Sequence, residues 1–268
     1  MPTVAFQPEG TIITFYSFKG GSGRTMALAN LLYYLADQLV GDRAILAIDW
    51  DLEAPGLHRY FLNDSFPSGR EPKGLIDYFI DLRTRLENDP SLYRLLADPG
   101  DLSVKRDRPA WRCLEDAQPI GGYCVEVSAP RRNGGSSRAY LMRAGRFDAN
   151  YAETVGSFPW IDFYKKYPAA FQAFRDLLAA NYAFTLIDSR TGLTDTSGIC
   201  TMIMPSKLVA VFTPNAQSLD GLVDLLKRSL AYRGHSDDFR PLSIFPLPSR
   251  IENVQSLQEK WRGRYQAA

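Results

Sequence analysis

Cysteine is scarce and scattered in this chain: Cys113, Cys124 and Cys200 are the only three in 268 residues, and no C-x-x-C pair occurs. Such spacing excludes a disulfide framework and a cysteine-built metal site, and it predicts reduced thiols in a cytoplasmic setting. No apolar run approaches the roughly 18 residues that span a bilayer. The opening MPTVAFQPEG lacks the basic-then-apolar order of a secretion signal. An excess of one charge is also missing, since 31 Lys plus Arg face 30 Asp plus Glu. A chain so balanced has no global field for nucleic acid or an anionic membrane, although a local basic patch stays compatible with nucleic acid. What the chain does have is apolar content: 45% of residues are hydrophobic and only 23% charged, enough for one large α/β domain with a substantial core.

The most informative stretch is TIITFYSFKGGSGRTMALAN, residues 11 to 30. A β-branched and aromatic run from Ile12 to Tyr16 enters a glycine-rich loop from Phe18 to Gly23, and Arg24-Thr25 then opens a nearly all-apolar helical segment, which reads as a helix buried between the sheet and neighbouring helices, running to Leu39 and ended by Gly41. A strand, such a loop and a helix N-terminus make a phosphate cradle, because glycines let backbone N–H groups converge on an anion and the first helical turn adds unpaired donors. The usual pattern for this cradle is G-x-x-x-x-G-K-[ST]. Here Phe18 stands at the first glycine, Arg24 at the lysine, and a further cation, Lys19, precedes the glycine pair.

That combination, K-G-G-x-G-[KR]-[ST], resembles the deviant Walker A motif of the MinD/ParA group of P-loop ATPases. The Arg24 variant is similar to a KGGVGR subgroup that often accompanies bacterial conflict or antiviral modules. The resemblance implies ATP and Mg²⁺ as cofactors, with Gly20, Gly21, Ser22, Gly23, Arg24, Thr25 and Met26 around the phosphates and Thr25 at the metal. It implies a nucleotide-dependent homodimer in which Lys19 reaches the nucleotide of the opposite protomer, placing Lys19 beside Arg24 in the catalytic set. It also implies a protein effector or partner domain.

Two acidic segments fit that frame. AILAI, residues 44 to 48, suits a central parallel strand, and it delivers DWDLEAPGL at its C-terminal edge, where ligands bind in doubly wound sheets. By resemblance Asp51 is the switch carboxylate that orients the attacking water, and Asp49 lies near the Mg²⁺ shell. Glu53 and His58 are weaker candidates. The run YAFTLID ends in Asp188, a Walker B pattern in which a strand-terminal carboxylate binds the metal's water shell. The following SRTGLTD resembles a switch segment hinged at Gly192, within which Arg190 serves either a phosphate or the opposite protomer, or else a structural ion pair.

Residues 64 to 156 are the least conventional and read as a family-variable insertion. Leu75, Ile76, Phe79, Leu82 and Leu86 recur at helical spacing, and Ser91 to Ala97 suits a short helix. Residues 99 to 118 read as a polar surface loop. Tyr123 to Ala129 and Ala139 to Ala144 read as strands joined by a glycine-rich turn. Arg131, Arg132, Arg138, Arg143 and Arg146 form either a basic partner-binding face or a solvated loop. An aromatic helix covers residues 160 to 178, interrupted near Pro168. A strand at Lys207 to Thr213, a helix at Ser218 to Tyr232 with Leu219, Leu222, Val223, Leu226 and Leu230 on one face, and a strand at Pro241 to Phe245 complete the frame. FPLPSRIEN then leaves that strand, with Pro248, Ser249 and Arg250 as adenine-side candidates or as an ordinary loop. The last segment begins an amphipathic helix and stops abruptly, so a continuation is expected.

The order of elements predicts one three-layer α/β sandwich, residues 1 to 268, around a mostly parallel sheet. Three functions compete: a Mg²⁺-dependent ATPase switch, a non-hydrolysing nucleotide-sensing module in which Arg24 keeps affinity but alters transition-state stabilisation, and a P-loop kinase, which no tyrosine-rich tail supports.

Overall fold

The computed structural model describes residues 10–39, 43–62, 71–97, 108–132, 134–235 and 240–251, together with 259, 262 and 263. Gly41, residues 64 to 70 and 99 to 107 of the proposed insertion, and nearly all of the final amphipathic segment lie outside the described residues.

Seven strands form one sheet: β1 (Thr11–Tyr16), β2 (Ala44–Asp49), β3 (Val125–Pro130), β4 (Ser136–Met142), β5 (Tyr182–Asp188), β6 (Lys207–Phe212) and β7 (Ser243–Pro248), in the order β3-β4-β2-β5-β1-β6-β7. All neighbours run parallel except β3 and β4, a hairpin whose antiparallel pairing places β3 at the edge. The stretch read as an insertion therefore donates two strands to the main sheet, β4 directly beside β2. The all-buried AILAID of β2 and the buried end of β5 meet the requirement of strands covered on both faces.

Helices α1 (Arg24–Gln38), α2 (Leu75–Asn88), α3 (Pro90–Ala97), α4 (Ala110–Ala117), α5 (Tyr151–Ser157), α6 (Trp160–Lys166), α7 (Ala170–Asn181), α8 (Asp195–Gly198) and α9 (Ala216–His235) flank the sheet. Four expectations are corrected. Residues 110 to 117 are a helix rather than loop, because Leu114 is buried in the core and Gln118 donates to the Tyr78 carbonyl. α1 is not buried all round: Met26 and Tyr34 are exposed while Leu28, Ala29, Leu32 and Ala36 face the sheet. On α9 the buried stripe is Ser218, Leu219, Leu222, Leu225, Ser229 and Arg233, and Leu230 is exposed, so the helix is rotated from the predicted face. The last strand begins at Ser243 and includes Pro246 and Pro248, which an edge strand tolerates because a proline's missing N–H there costs no ladder bond. The aromatic segment does break near Pro168, between α6 and α7.

The largest core packs α2, α6 and α7 against the sheet, with Trp50 at its heart. Trp50 is fully buried and its ring lies 5.8 Å from Phe79, 6.2 Å from Trp160 and 6.2 Å from Phe174. Its neighbours Asp49 and Asp51 are thereby held at the sheet's C-terminal edge. Removing such a ring forfeits its transfer energy and leaves a cavity. Trp50→Ala is expected to lower stability by about 3–5 kcal/mol in urea unfolding.

Candidate functional site

The carboxyl ends of β1, β2 and β5 lie side by side, because Phe15 and Asp49 are both in register with Asp188. From β1 the chain turns through Ser17 to Gly23 into α1. Gly21 and Gly23 take φ of 72° and 84°, a left-handed backbone that glycine adopts without a Cβ penalty. A Cβ at Gly20 would meet nothing, so the loop's backbone faces open space. Phe18, in place of the first glycine, packs on α9: a Cβ on Gly221 would come within 2.4 Å of its ring. The loop is fastened there by side-chain packing, and Gly221 leaves room for it.

Arg24 does not project freely into the cleft. Its side chain is buried and bridges two carboxylates, with Nε 2.5 Å from Asp188 Oδ1 and Nη2 2.8 Å from Asp51 Oδ2. The Thr25 hydroxyl donates to the other oxygen of Asp188 at 2.7 Å. Burial opposes the Arg24 charge, but Asp188 and Asp51 outweigh it and raise its pKa, so the guanidinium stays charged. Burial likewise raises Asp188, and Arg24 and Thr25 pull it back toward the ionised form.

Asp49 is fully buried, and its carboxylate accepts backbone N–H groups from Asp51 at 3.3 Å and from Gly56 and Leu57 at 3.1 Å each. Burial, joined by the nearby Asp188 carboxylate, nonetheless raises its pKa to about 8, against the pull of the Leu57 N–H. The backbone contacts turn Asp49 into the 51–57 loop rather than outward.

A cleft of about 750 Å³ opens over the glycine loop. It is lined by Gly20 to Met26, by Asp51, and by Pro248, Ser249 and Arg250 from the segment that ends the last strand. Asn30, Glu53, Tyr60 and Arg190 also border it. Asn30 and Tyr60 carry no motif, and no sequence signal marks them. Glu53 and Arg190 form an ion pair across the mouth, so the structural alternative for Arg190 is the one seen. Tyr16 donates to the Gly192 carbonyl at 3.2 Å, tying the hinge of the proposed switch segment to β1. Lys19 is exposed, and its ammonium donates to the side-chain amide oxygen Oε1 of Gln217 on α9; Lys19 does not line the cleft of its own chain. His58 packs its ring 5.1 Å from Phe147.

The arginines of the β3–β4 region do not gather into one basic face. Arg143 is buried, stacked 4.4 Å over Phe147, and Arg131 donates to the Ala36 and Leu39 carbonyls. Among the described residues, no group of three or more His, Cys, Asp or Glu side chains is placed to hold a metal by itself. A Mg²⁺ ion at a nucleotide needs less, because water and phosphate supply most of its ligands. Thr25 and Asp188 offer the hydroxyl and carboxylate that this mode takes, so the donor set fits the ion. No helix among the described residues is long and apolar enough to cross a membrane.

Two measurements test this electrostatic arrangement. Asp188→Ala leaves the buried Arg24 Nε without a partner while Nη2 keeps Asp51, and it is expected to cost about 1–3 kcal/mol in urea unfolding, less than the loss of a sole ion-pair partner. Asp49 has a folded pKa of about 8, above its ordinary value of 3.8, so it takes up a proton on folding between those values. Its contribution to stability is complete at low pH and is lost as pH rises toward the folded pKa. Unfolding at pH 5 and pH 8 should therefore show Asp49→Asn gaining on the wild type at the higher pH.

No protein-family model matches the sequence, and no curated protein does. Solved structures do match over nearly the whole chain. The pNOB8 ParA aligns with TM-score 0.58 at 16% identity, covering 96% of this chain and 71% of that one, and it also matches in a structure bound to nonspecific DNA. A complex of a Cyanothece McdA variant with ATP aligns with TM-score 0.56 at 13% identity, covering 97% and 80%. A ParA family ATPase from Chlorobium tepidum TLS aligns with TM-score 0.53 at 17% identity, covering 96% and 81%. With its glycine loop at the end of β1 and its mostly parallel seven-stranded sheet, this chain has the α/β fold of the ParA and McdA structures with which it aligns.

Proposed function

We propose that this chain is an ATP-dependent molecular switch that binds ATP with Mg²⁺ in the cleft, dimerises around it and hydrolyses it. The observation that carries this reading is convergence at three neighbouring strand ends: the open Gly20–Gly23 backbone, Thr25 and Asp51 line one cleft, and the buried Asp188 carboxylate stands directly behind it, bonded to Thr25 and Arg24. Phosphoryl transfer asks for little more than such positioning and charge neutralisation.

Thr25 and Asp188 would hold the metal. When bound, Mg²⁺ supplies charge neutralisation on the β- and γ-phosphate oxygens. Ser22, Gly23 and the first turn of α1 present backbone donors to phosphate, and Met26 borders the cleft beside them. Asp51, still partly accessible at 13% exposure, is the carboxylate able to orient a water. Asp49 shapes the loop that carries Asp51, and we leave it out of the metal shell. Arg24 acts by exchanging carboxylate for phosphate oxygens when nucleotide arrives, a change its planar fork suits. Pro248 and Ser249 border the cleft beside the glycine loop, where a base would rest.

Among the described residues the Lys19 ammonium engages only Gln217, which leaves it available to a second protomer across a two-fold interface. A switch of this kind acts through a protein effector, and the Arg24 motif points to a bacterial conflict or antiviral setting. The rival function, a nucleotide sensor without turnover, draws on the same Arg24 bridge. If the guanidinium never leaves Asp51, the water-orienting carboxylate stays engaged.

The test pairs ligand-induced stabilisation with mass and turnover. Saturating ATP and Mg²⁺ should raise the melting temperature of the wild type. Asp51→Ala should keep that rise while phosphate release falls by about 10²-fold. Lys19→Ala should keep the rise but fail to dimerise in sedimentation with a slowly hydrolysed ATP analogue. An unchanged wild-type melting temperature rejects the assignment, whereas binding and dimerisation without phosphate release favour the sensor.

A further inference from the structure

Resting on the proposed nucleotide site, we infer that Arg250 binds the phosphates of the ligand rather than its base. In the sequence Arg250 falls in a loop that suits the adenine side, but its surroundings point the other way. The guanidinium Nη2 lies 4.0 Å from where a Cβ on Gly21 would be, over the glycine loop that forms the phosphate cradle.

Three independent features support this placement. Among the described residues Arg250 is the one non-glycine residue with positive φ, 51°, a conformation uncommon for a side-chain-bearing residue and one that marks a constrained position. The residue before it is tied to the cradle itself: the Ser249 hydroxyl donates to the Ser22 carbonyl at 2.5 Å, and its N–H donates to the Phe212 carbonyl at 2.8 Å. The turn that aims Arg250 is therefore built onto the loop it faces.

Charge is the third feature. Every other cation around the cleft is engaged: Arg24 by Asp51 and Asp188, Arg190 by Glu53, and Lys19 by Gln217. Arg250 is exposed and has no ion pair or hydrogen bond among the described residues. The Arg24 cluster sets one positive charge against two carboxylates, so its sum repels a polyphosphate. An uncommitted guanidinium above the glycine loop offsets that sum and offers forked donors matched to phosphate oxygens.

The experiment measures binding of two magnesium-loaded ligands, ATP and inorganic tripolyphosphate, to wild type, Arg250→Ala, Arg250→Lys and Arg250→Gly. Tripolyphosphate carries no base. Phosphate contact predicts that Arg250→Ala weakens both ligands by the same factor, about tenfold or more, and that Arg250→Lys recovers part of the loss. Arg250→Gly relieves the positive φ, so its ligand-free melting temperature should equal or exceed that of the wild type while its affinity falls as in Arg250→Ala. That separates a lost contact from a damaged fold. If ATP binding falls and tripolyphosphate binding does not, Arg250 serves the base and the inference is overturned. Undiminished binding of both also overturns it while leaving the nucleotide site intact, and a wild type that binds neither ligand rejects both.

Discussion

The Arg24 guanidinium, shared between Asp51 and Asp188, is the contact on which this edge of the sheet depends. It joins the first residue of α1 to carboxylates carried by β5 and by the segment after β2, so helix and strands cannot shift independently. Lysine would not serve in the same way. Nε and Nη2 sit at fixed separation in one plane and grip two carboxylates at once, whereas an ammonium is a single point. Burying such a group is expensive, and a well-packed apolar replacement is often as stable. The cluster is therefore better understood as held ready for an exchange of partners than as a source of stability.

Around this contact the fold supplies two braces of different character. On one side Trp50 is driven into the aromatic core of α2, α6 and α7, which fixes Asp49 and Asp51 on either side of it. Tyr151 adds a hydrogen bond at 2.7 Å to the Leu52 carbonyl, so α5 also steadies the acidic loop. The helices between β4 and β5 thus serve the site even though none of them lines it. On the other side the glycine loop is held by α9 and by the turn that follows β7, through Phe18 on Gly221 and Ser249 on Ser22. Close packing makes the first brace stiff, because any shift opens a void. The second brace uses one ring and one hydroxyl and leaves the cradle open above Gly20.

The same division explains the two aspartates of the D-x-D segment. They are two residues apart and carry the same group, yet Asp49 is sealed in and occupied by backbone N–H groups while Asp51 reaches the cleft. Burial decides their chemistry: the first is pushed toward the neutral form, and the second stays available to a guanidinium or to water.

Local composition by itself determined most of the framework. The apolar runs of β2 and β5, the glycines at Gly21 and Gly23, the helix after them and the acid closing β5 each follow from short-range rules: continuous burial, a left-handed φ that favours glycine, helical period, and a strand-end carboxylate. The break near Pro168 belongs with them, since proline acts on its own neighbours. What the tertiary structure alone decided are the partners. No spacing says that Arg24 turns from the cradle to Asp51 and Asp188, that Asp49 faces inward, or that Arg250 leans over Gly21, because each depends on how distant segments come together. The helix at 110 to 117 depends on tertiary structure in the same way, because this short segment between polar stretches is ordered by the core that receives Leu114. The edge strand through Pro246 and Pro248 likewise follows from its place beside β6, where missing N–H groups face no neighbour.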